Sequence, residues 1–378
     1  MINPRIPLQR PFFDSDEILE IEGVLNSGWV SQGPKVKEFE DIVAKYLDTK
    51  YAVAVSNCTS ALHLSLIALS ITHGDEVLVA DFTFPATAHA VLYCGAKPVF
   101  VDVDSRTYNM DPESIEEKIS DKTKAIIPVH TFGQPAEMDR IMEIAESHDL
   151  KVIEDAACAL GAKYKMRYAG TIGDIGCFSF HARKGITTGE GGMVVTNSKE
   201  CYDRIRKLSV FGMTHASAWD REKGEDLIIP RFEDVGYNYK MSDIAAAIGV
   251  VQMRRIDRII TRKRILARYW DQRLDEIDHI TSPFVCKDVE HVYQSYVVLV
   301  DKNINRNFLI KKLMDNGIQT QIGTYSCHIQ PVYNSIDSCP RSLEIFNSAL
   351  ALPMYYLLEE HEIDIAANEL GKSIRGLL

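Results

Sequence analysis

The chain reads as an α/β fold: a large domain with a mostly parallel sheet between helices over residues 1–260, then a small α+β domain over residues 261–378. Three observations predict this. Short apolar runs alternate with helical or turn segments through the first half, the pattern of a parallel sheet covered by helices on both faces. A length of 378 residues exceeds what one core ordinarily supports, so a second, smaller domain is expected. Beyond about residue 278 the alternation gives way to strand, helix, short strand and terminal helices.

In chain order, residues 1–13 are punctuated by proline and read as an extended arm. Asp14 or Ser15 caps a helix from Asp16 to about Leu25, which Gly28 ends. A second amphipathic helix carries Val36, Phe39, Val43 and Tyr46 on one side. Strand-like runs follow at Tyr51–Val55, Glu76–Ala80, Val99–Val101, Ala125–Val129, Val152–Asp155, Cys177–Phe180 and Met193–Val195. Asp111-Pro112 marks a helix start, a cap residue with proline at the first helical position. A helix covers Asn197 to Phe211, and the polar stretch Gly212 to Gly236 is assigned no structure. One long helix, Ser242 to about Leu274, leads out of the large domain. The small domain has a strand at Ser295–Val300, a helix at Asn305–Asn316 and a short strand near Ile318–Ile322.

Composition narrows the function. Hydrophobic content of 46% with 25% charged residues is that of a soluble globular protein. A net charge of −11 argues against a nucleic-acid partner, which needs a basic patch. The run Arg254, Arg255, Arg258, Arg262, Lys263, Arg264 and Arg268 reads as a solvated or salt-bridged helix face. Eight scattered cysteines without a C-x-x-C pair suggest free thiols in a reducing compartment and no metal knuckle. No signal-peptide core and no apolar run of about 18 residues is present, so no membrane association and a cytoplasmic location are expected.

The chemistry centres on Phe178 to Gly192, where Lys184 lies between an apolar run and a glycine-rich bend. A partly desolvated lysine there is placed to form a Schiff base with a carbonyl compound or with pyridoxal 5′-phosphate (PLP). Asp155 stands 29 positions upstream (184 − 155), directly after an apolar run. A carboxylate against the pyridine nitrogen keeps it protonated and makes the ring an electron sink. Ser56-Asn-Cys-Thr-Ser60 joins a strand to a helix, where backbone N–H groups and hydroxyls suit a phosphate, although a plain N-cap needs the same residues. Ser179 is a further hydroxyl close to Lys184. Phe84 follows another strand, free to stack on a planar ring or to fill the core. These positions fall largely beyond the carboxyl ends of strands, where ligands bind in such sheets.

Four ordered blocks carry a resemblance. They are Ser56-Asn-Cys-Thr-Ser-Ala-Leu-His-Leu, Glu154-Asp-Ala-Ala-Cys-Ala-Leu-Gly-Ala, Phe178-Ser-Phe-His-Ala-Arg-Lys-Gly-Ile-Thr-Thr-Gly-Glu-Gly-Gly and Gly236-Tyr-Asn-Tyr-Lys-Met-Ser-Asp-Ile-Ala-Ala-Ala-Ile-Gly. Together they resemble the DegT-type nucleotide-sugar aminotransferases, PLP enzymes of fold type I, essentially from end to end. The resemblance implies that Lys184 carries the Schiff base, Asp155 pairs with the pyridine nitrogen and Phe84 stacks on the ring. It implies that Thr59, Ser60 and Ser179 meet the phosphate, joined by Asn238 from the neighbouring subunit of a homodimer. Cys158 falls where many members carry glutamine near the cofactor's phenolic oxygen, and Cys58 where many carry glycine. His328 and Tyr325, in Tyr325-Ser-Cys-His, match the sugar site, with a packed C-terminal histidine as the alternative for His328. His130 and His181 are read as supporting or core residues. Glu190 either orients the lysine loop or faces solvent.

The activity implied is transfer of an amino group, from glutamate, to a keto group of a nucleotide-linked deoxy sugar, with no metal. Rivals are an aminotransferase acting on a cyclitol or another keto compound, the dehydratase branch, which tends to carry histidine at the position of Lys184, and a non-catalytic regulatory protein on the same scaffold.

Overall fold

The computed structural model describes residues 5–214 and 230–377. Most of the polar stretch left unassigned above, residues 215–229, lies outside the described residues.

Seven strands form the main sheet: β1 (Tyr51–Val55), β2 (Glu76–Ala80), β3 (Lys97–Val101), β4 (Thr123–Ile127), β5 (Lys151–Asp155), β6 (Ile175–Ser179) and β7 (Gly192–Thr196). Their spatial order is β1-β7-β6-β5-β4-β2-β3. The neighbours from β6 to β3 pair in parallel, whereas β7 is antiparallel to both β6 and β1, so β7 alone runs against the rest. All seven expected strands are present, with ends moved by a residue or two.

Period-2 alternation sorts their side chains onto two buried faces. On one face Val53, Val55, Val77, Val79, Ile127, Ile153 and Val194 meet helices α3 (Cys58–Ala68), α4 (Ala86–Tyr93) and α6 (Lys199–Ser209). On the other, Ala52, Ala54, Phe178, Met193 and Val195 meet α2 (Pro34–Leu47) and α7 (Asp243–Arg254), while Leu78, Ile126 and Val152 meet α5 (Met138–Ser147). Helix α1 (Ser15–Ser27) is capped by Asp14 in a capping box with Glu17 and ends at Gly28, whose φ of 77° favours glycine.

Two expected helices differ. The long helix is broken at Arg255, which ends α7 and precedes α8 (Ile256–Leu274) with φ −111° and ψ −2°. Its guanidinium is drawn to Asp14, Asp16 and Glu17 around α1, a tertiary tie that local helix propensity does not register. After Asp111-Pro112 there is no α-helix but two 3₁₀ turns, Pro112–Ser114 and Glu116–Lys118, closed by i→i+3 bonds such as Ile115 N–H to Pro112 O. The cap is real, since Asp111 accepts from the Glu113 N–H, but the chain turns extended again at Ile119 to reach β4.

The C-terminal part is a four-stranded antiparallel sheet of β8 (Ile280–Thr281), β9 (Tyr296–Val300), β10 (Gln321–Ile322) and β11 (Ala349–Leu352), in order β8-β9-β11-β10. Helices α9 (Arg306–Asp315), α10 (Pro340–Ser348) and α11 (Glu360–Arg375) accompany it. Helix α8 serves two cores: Ile256, Ile259 and Ile260 pack with the main sheet, and Leu266, Trp270 and Leu274 pack with Tyr296, Leu350 and Leu370. The N-terminal arm is anchored here too, with Ile6 buried and bonded to Gly317 O. Much of the basic run is salt-bridged, as expected: Arg254 to Glu20 and Glu38, Arg262 to Glu360, Arg264 to Glu290. Lys263 departs from that reading and is buried. All eight cysteines are free thiols. Among the described residues no helix is long and apolar enough to cross a membrane.

Candidate active site

The carboxyl ends of β2, β5 and β6 and the start of α3 converge on one place, and the residues singled out from the sequence lie around it. Asp155 ends β5 and is buried. Its Oδ2 accepts from Thr87 Oγ1 at 2.7 Å and its Oδ1 from the Ala157 N–H at 3.1 Å. Thr87 is itself 3.0 Å from Thr83 Oγ1. No salt bridge to Asp155 is formed among the described residues. A buried carboxylate ordinarily has a cationic partner, so a protonated ring nitrogen is the partner this geometry suits.

Lys184 is set by a tight loop. Its N–H bonds to His181 O at 2.9 Å, the Thr188 N–H and Thr187 Oγ1 both bond to Phe180 O, and Gln294 Nε2 bonds to Arg183 O at 2.6 Å. The Lys184 amine reaches Cys158 Sγ at 3.2 Å. Burial pushes its pKa down, while Cys158, Asp155 and Cys58 push it up, and the net direction is upward. Burial drives the Cys58 thiol well up, which keeps that group protonated. Of the upward influences on Lys184, Cys158 comes first and Asp155 next.

The strand register places Ser179 beside the start of α3, because Val55, Gly192 and Ser179 are partners across β1, β7 and β6. A Cβ on Gly192 would lie 2.4 Å from the Asn57 carbonyl carbon and 2.7 Å from Cys58 N, so only glycine lets α3 start this close to the sheet. Helix α3 is capped by Asn57, whose Oδ1 accepts from the Ser60 N–H at 2.8 Å. Ser60 Oγ is 3.2 Å from Ser56 Oγ, and Thr59 makes no side-chain hydrogen bond among the described residues. The side chain of Cys58 packs into the core. N–H groups of a helix start together with hydroxyls form a site for an anion.

Phe84 is 64% exposed, with its nearest ring neighbour, Tyr325, edge-on at 6.1 Å. It is not the core aromatic that was the alternative for it. An open aromatic at the sheet end that carries Asp155 and Lys184 suits a flat ring.

Tyr325 pairs with Thr83, and His328 follows it with Nδ1 2.8 Å from Asp81 Oδ2. Asn238 is exposed; its Oδ1 accepts from Lys240, and no contact joins its side chain to Thr59, Ser60 or Ser179 of the same chain. Its neighbour Tyr239 does meet this turn, accepting the Ser56 N–H at 2.7 Å. His130 is a core residue. Its Nδ1 accepts from the Ala136 N–H, so Nε2 carries the proton and donates to Glu154 at 2.8 Å. Glu154 also takes the N–H groups of Gly170, Ile172 and Gly173; burial raises its carboxyl, but His130 and these donors hold it below the usual range. His181 lies a loose 3.8 Å from Glu190, whose carboxylate faces solvent.

Sequence reasoning missed Thr87, Asp81, Gln294 and Lys263. Lys263 donates to Gln294 O at 3.1 Å and lines a small cavity with Lys184, Cys158 and Ser179. Desolvation pushes its pKa down to about 8.

Fold and site together define a PLP-dependent transferase of fold type I. The profile of the DegT/DnrJ/EryC1/StrS aminotransferase family matches residues 11–370, and the chain belongs to that family of PLP-dependent aminotransferases. It is 41% identical to GDP-perosamine synthase of Escherichia coli O157:H7 over 331 residues, covering 87% of each chain. The solved aminotransferase TlmJ of Streptoalloteichus hindustanus superposes with a TM-score of 0.92 at 31% identity, over 98% of this chain and 99% of that one. The Streptococcus pneumoniae protein Spr1654, solved in PLP and PMP forms, is 28% identical; its PMP form gives a TM-score of 0.93 over 99% of this chain and all of that one.

Proposed function

We propose that this chain moves an amino group from glutamate to the keto group of a nucleotide-linked deoxy sugar, working in the cytoplasm as a homodimer with shared active sites. The observation that carries the site assignment is the buried Asp155, in no salt bridge among the described residues, at the same sheet end as Lys184 and the open ring of Phe84. The likeness to GDP-perosamine synthases supports the substrate class, because their product is a nucleotide-linked amino sugar.

When bound, PLP supplies an aldehyde that takes up an amine and a ring that withdraws electrons. Lys184 Nζ is the amine that would hold that aldehyde and give it up to the donor amine. The freed amine then removes the donor's α-proton and returns it, which requires the neutral form. Asp155 pulls on the ammonium, and pairing that carboxylate with a ring cation would offset the pull and favour the neutral amine. Thr87 and the Ala157 N–H fix the carboxylate that keeps the nitrogen protonated. Ser60, Ser179, Thr59 and the first N–H groups of α3 would bind the phosphate, with Asn238 supplied across the interface of the proposed dimer. Phe84 would stack on the ring, Cys158, whose Sγ is 3.2 Å from Lys184 Nζ, would lie near the phenolic oxygen, and Tyr325 and His328 would face the sugar.

The test is a pair of half-reactions followed by absorbance. Glutamate should discharge the Schiff base of PLP-loaded protein, and the keto counterpart of GDP-perosamine, or of another nucleotide-linked deoxy sugar, should restore it from PMP-loaded protein. Restoration by a keto cyclitol and by no nucleotide-linked ketone would overturn the substrate assignment.

A further inference from the structure

Asp81 follows β2 and is fully buried, yet it forms no bond to lysine or arginine among the described residues. Its carboxylate instead collects four donors. The His328 N–H reaches Oδ1 at 2.6 Å; His328 Nδ1 reaches Oδ2 at 2.8 Å, Ser326 Oγ at 2.7 Å, and Ser342 Oγ completes the set. Ser326 and Ser342 are both buried. The imidazole is thus fixed with its Nδ1–H on Asp81, while Nε2 has no hydrogen-bond partner among the described residues. Only β4 separates β2 from β5, so Asp81 and Asp155 stand roughly 10 Å apart along the same sheet end. The span between them holds Thr83, Phe84 and Thr87, with Tyr325 edge-on to Phe84.

We propose that Asp81 is a positioning residue for the sugar half of the reaction: it holds His328 so that Nε2–H donates a hydrogen bond to the keto oxygen of the bound sugar. The proposal rests on the nucleotide-sugar assignment above. A metal is not what this cluster is built for, although ligand atoms of Asp81, His328 and Cys339 lie within 4.8 Å of one another. Burial keeps the Cys339 thiol protonated, its hydrogen points to Phe100 O, and the carboxylate oxygens are already occupied by donors.

Charge agrees with the geometry. The hydrogen bond to Asp81 pushes the His328 pKa up; desolvation opposes it, and Asp81, Asp102 and Asp337 add to the upward push by charge. Arg341 sits on Asp102 and Asp111, and Lys118 on Asp337, so among the described residues His328 is the basic group that faces Asp81. The imidazolium, a donor at both nitrogens, therefore persists above the usual histidine range and is lost as pH rises through the raised value.

The experiment uses PMP-loaded protein with the keto counterpart of GDP-perosamine, and PLP-loaded protein with glutamate, each in single turnover across pH. Asp81→Asn should slow the sugar half-reaction at least tenfold at pH 8 and move its basic limb to lower pH. The glutamate half-reaction should stay within twofold of the parent. NMR titration of ring-labelled His328 should show its pKa lowered in Asp81→Asn but nearly unmoved in Ser342→Ala, which keeps the charge. Equal slowing of both half-reactions with an unmoved limb would make Asp81 merely structural and overturn the proposal. Should Asp81→Asn not fold, His328→Gln reads the same limb: its disappearance supports the proposal and its persistence overturns it. If the parent reacts with glutamate but with no nucleotide-linked ketone, the substrate assignment has failed and this proposal falls with it.

Discussion

Lys263 allows a magnitude to be worked out in advance. It is 4% exposed, its Nζ has one hydrogen bond, to Gln294 O, and desolvation lowers its pKa from 10.5 to about 8. Linkage turns that difference into stability. Above pH 10.5 the lysine is neutral folded and unfolded, and nothing is lost. Between 10.5 and about 8 the unfolded chain binds a proton that the folded chain refuses, so stability falls as pH falls. Below 8 the full penalty applies, roughly 3 kcal/mol at 1.36 kcal/mol per unit. Lys263→Met keeps the aliphatic stem and volume and removes the charge. It loses about 1 kcal/mol of hydrogen bond, and Gln294 O is not orphaned because Gln9 Nε2 also donates to it at 2.9 Å. The variant should be about 2 kcal/mol more stable than the parent at pH 7 and about 1 kcal/mol less stable near pH 10.5. Urea unfolding of both cofactor-free proteins across that range, read as the difference in unfolding free energy, gives the answer directly. A difference that does not change between pH 7.5 and 10 would refute the reasoning.

Asp155→Asn should still bind PLP and still form the Schiff base, but slow proton removal from glutamate by about 100-fold or more, because an amide does not favour a protonated ring nitrogen; single-turnover absorbance checks it, and a parental rate would move the electron-sink role to another acid. Gly192→Ala should lower both the urea midpoint and PLP affinity, with about 3 kcal/mol of overpacking, since the new methyl meets the Asn57 backbone rather than a movable side chain.

The sheet was legible because strands buried on both faces read as short apolar runs, and their order along the chain is all that alternation needs. Asp155 and Lys184 were legible for a related reason: each closes or follows a strand, and β5 and β6 are neighbours, so sequence motif and sheet position coincide. The supporting residues were not. Asp81 looks like any polar residue after a strand until Ser326, His328 and Ser342 arrive from more than 240 positions away. Lys263 sits in a basic run in which Arg254, Arg255, Arg262 and Arg264 reach acids, and only the packing of α8 shows which member is turned inward. In Ser56-Asn-Cys-Thr-Ser60 several residues are competent caps, and local sequence does not choose Asn57 among them. The break at Arg255 depends on acids around α1, which no window centred on Arg255 contains.

The account turns on which lysine holds the cofactor, and two lysines, Lys184 and Lys263, line the same small cavity. Only Lys184 lies on the loop that follows β6, with its amine beside Cys158. Borohydride reduction of PLP-loaded protein fixes the cofactor permanently to the nitrogen that holds it, and mass analysis of the digested chain locates it. The expected result is one pyridoxyl group per chain on the peptide containing Lys184, absent from Lys184→Ala. A label on Lys263, or on any other lysine of the parent protein, would contradict the account.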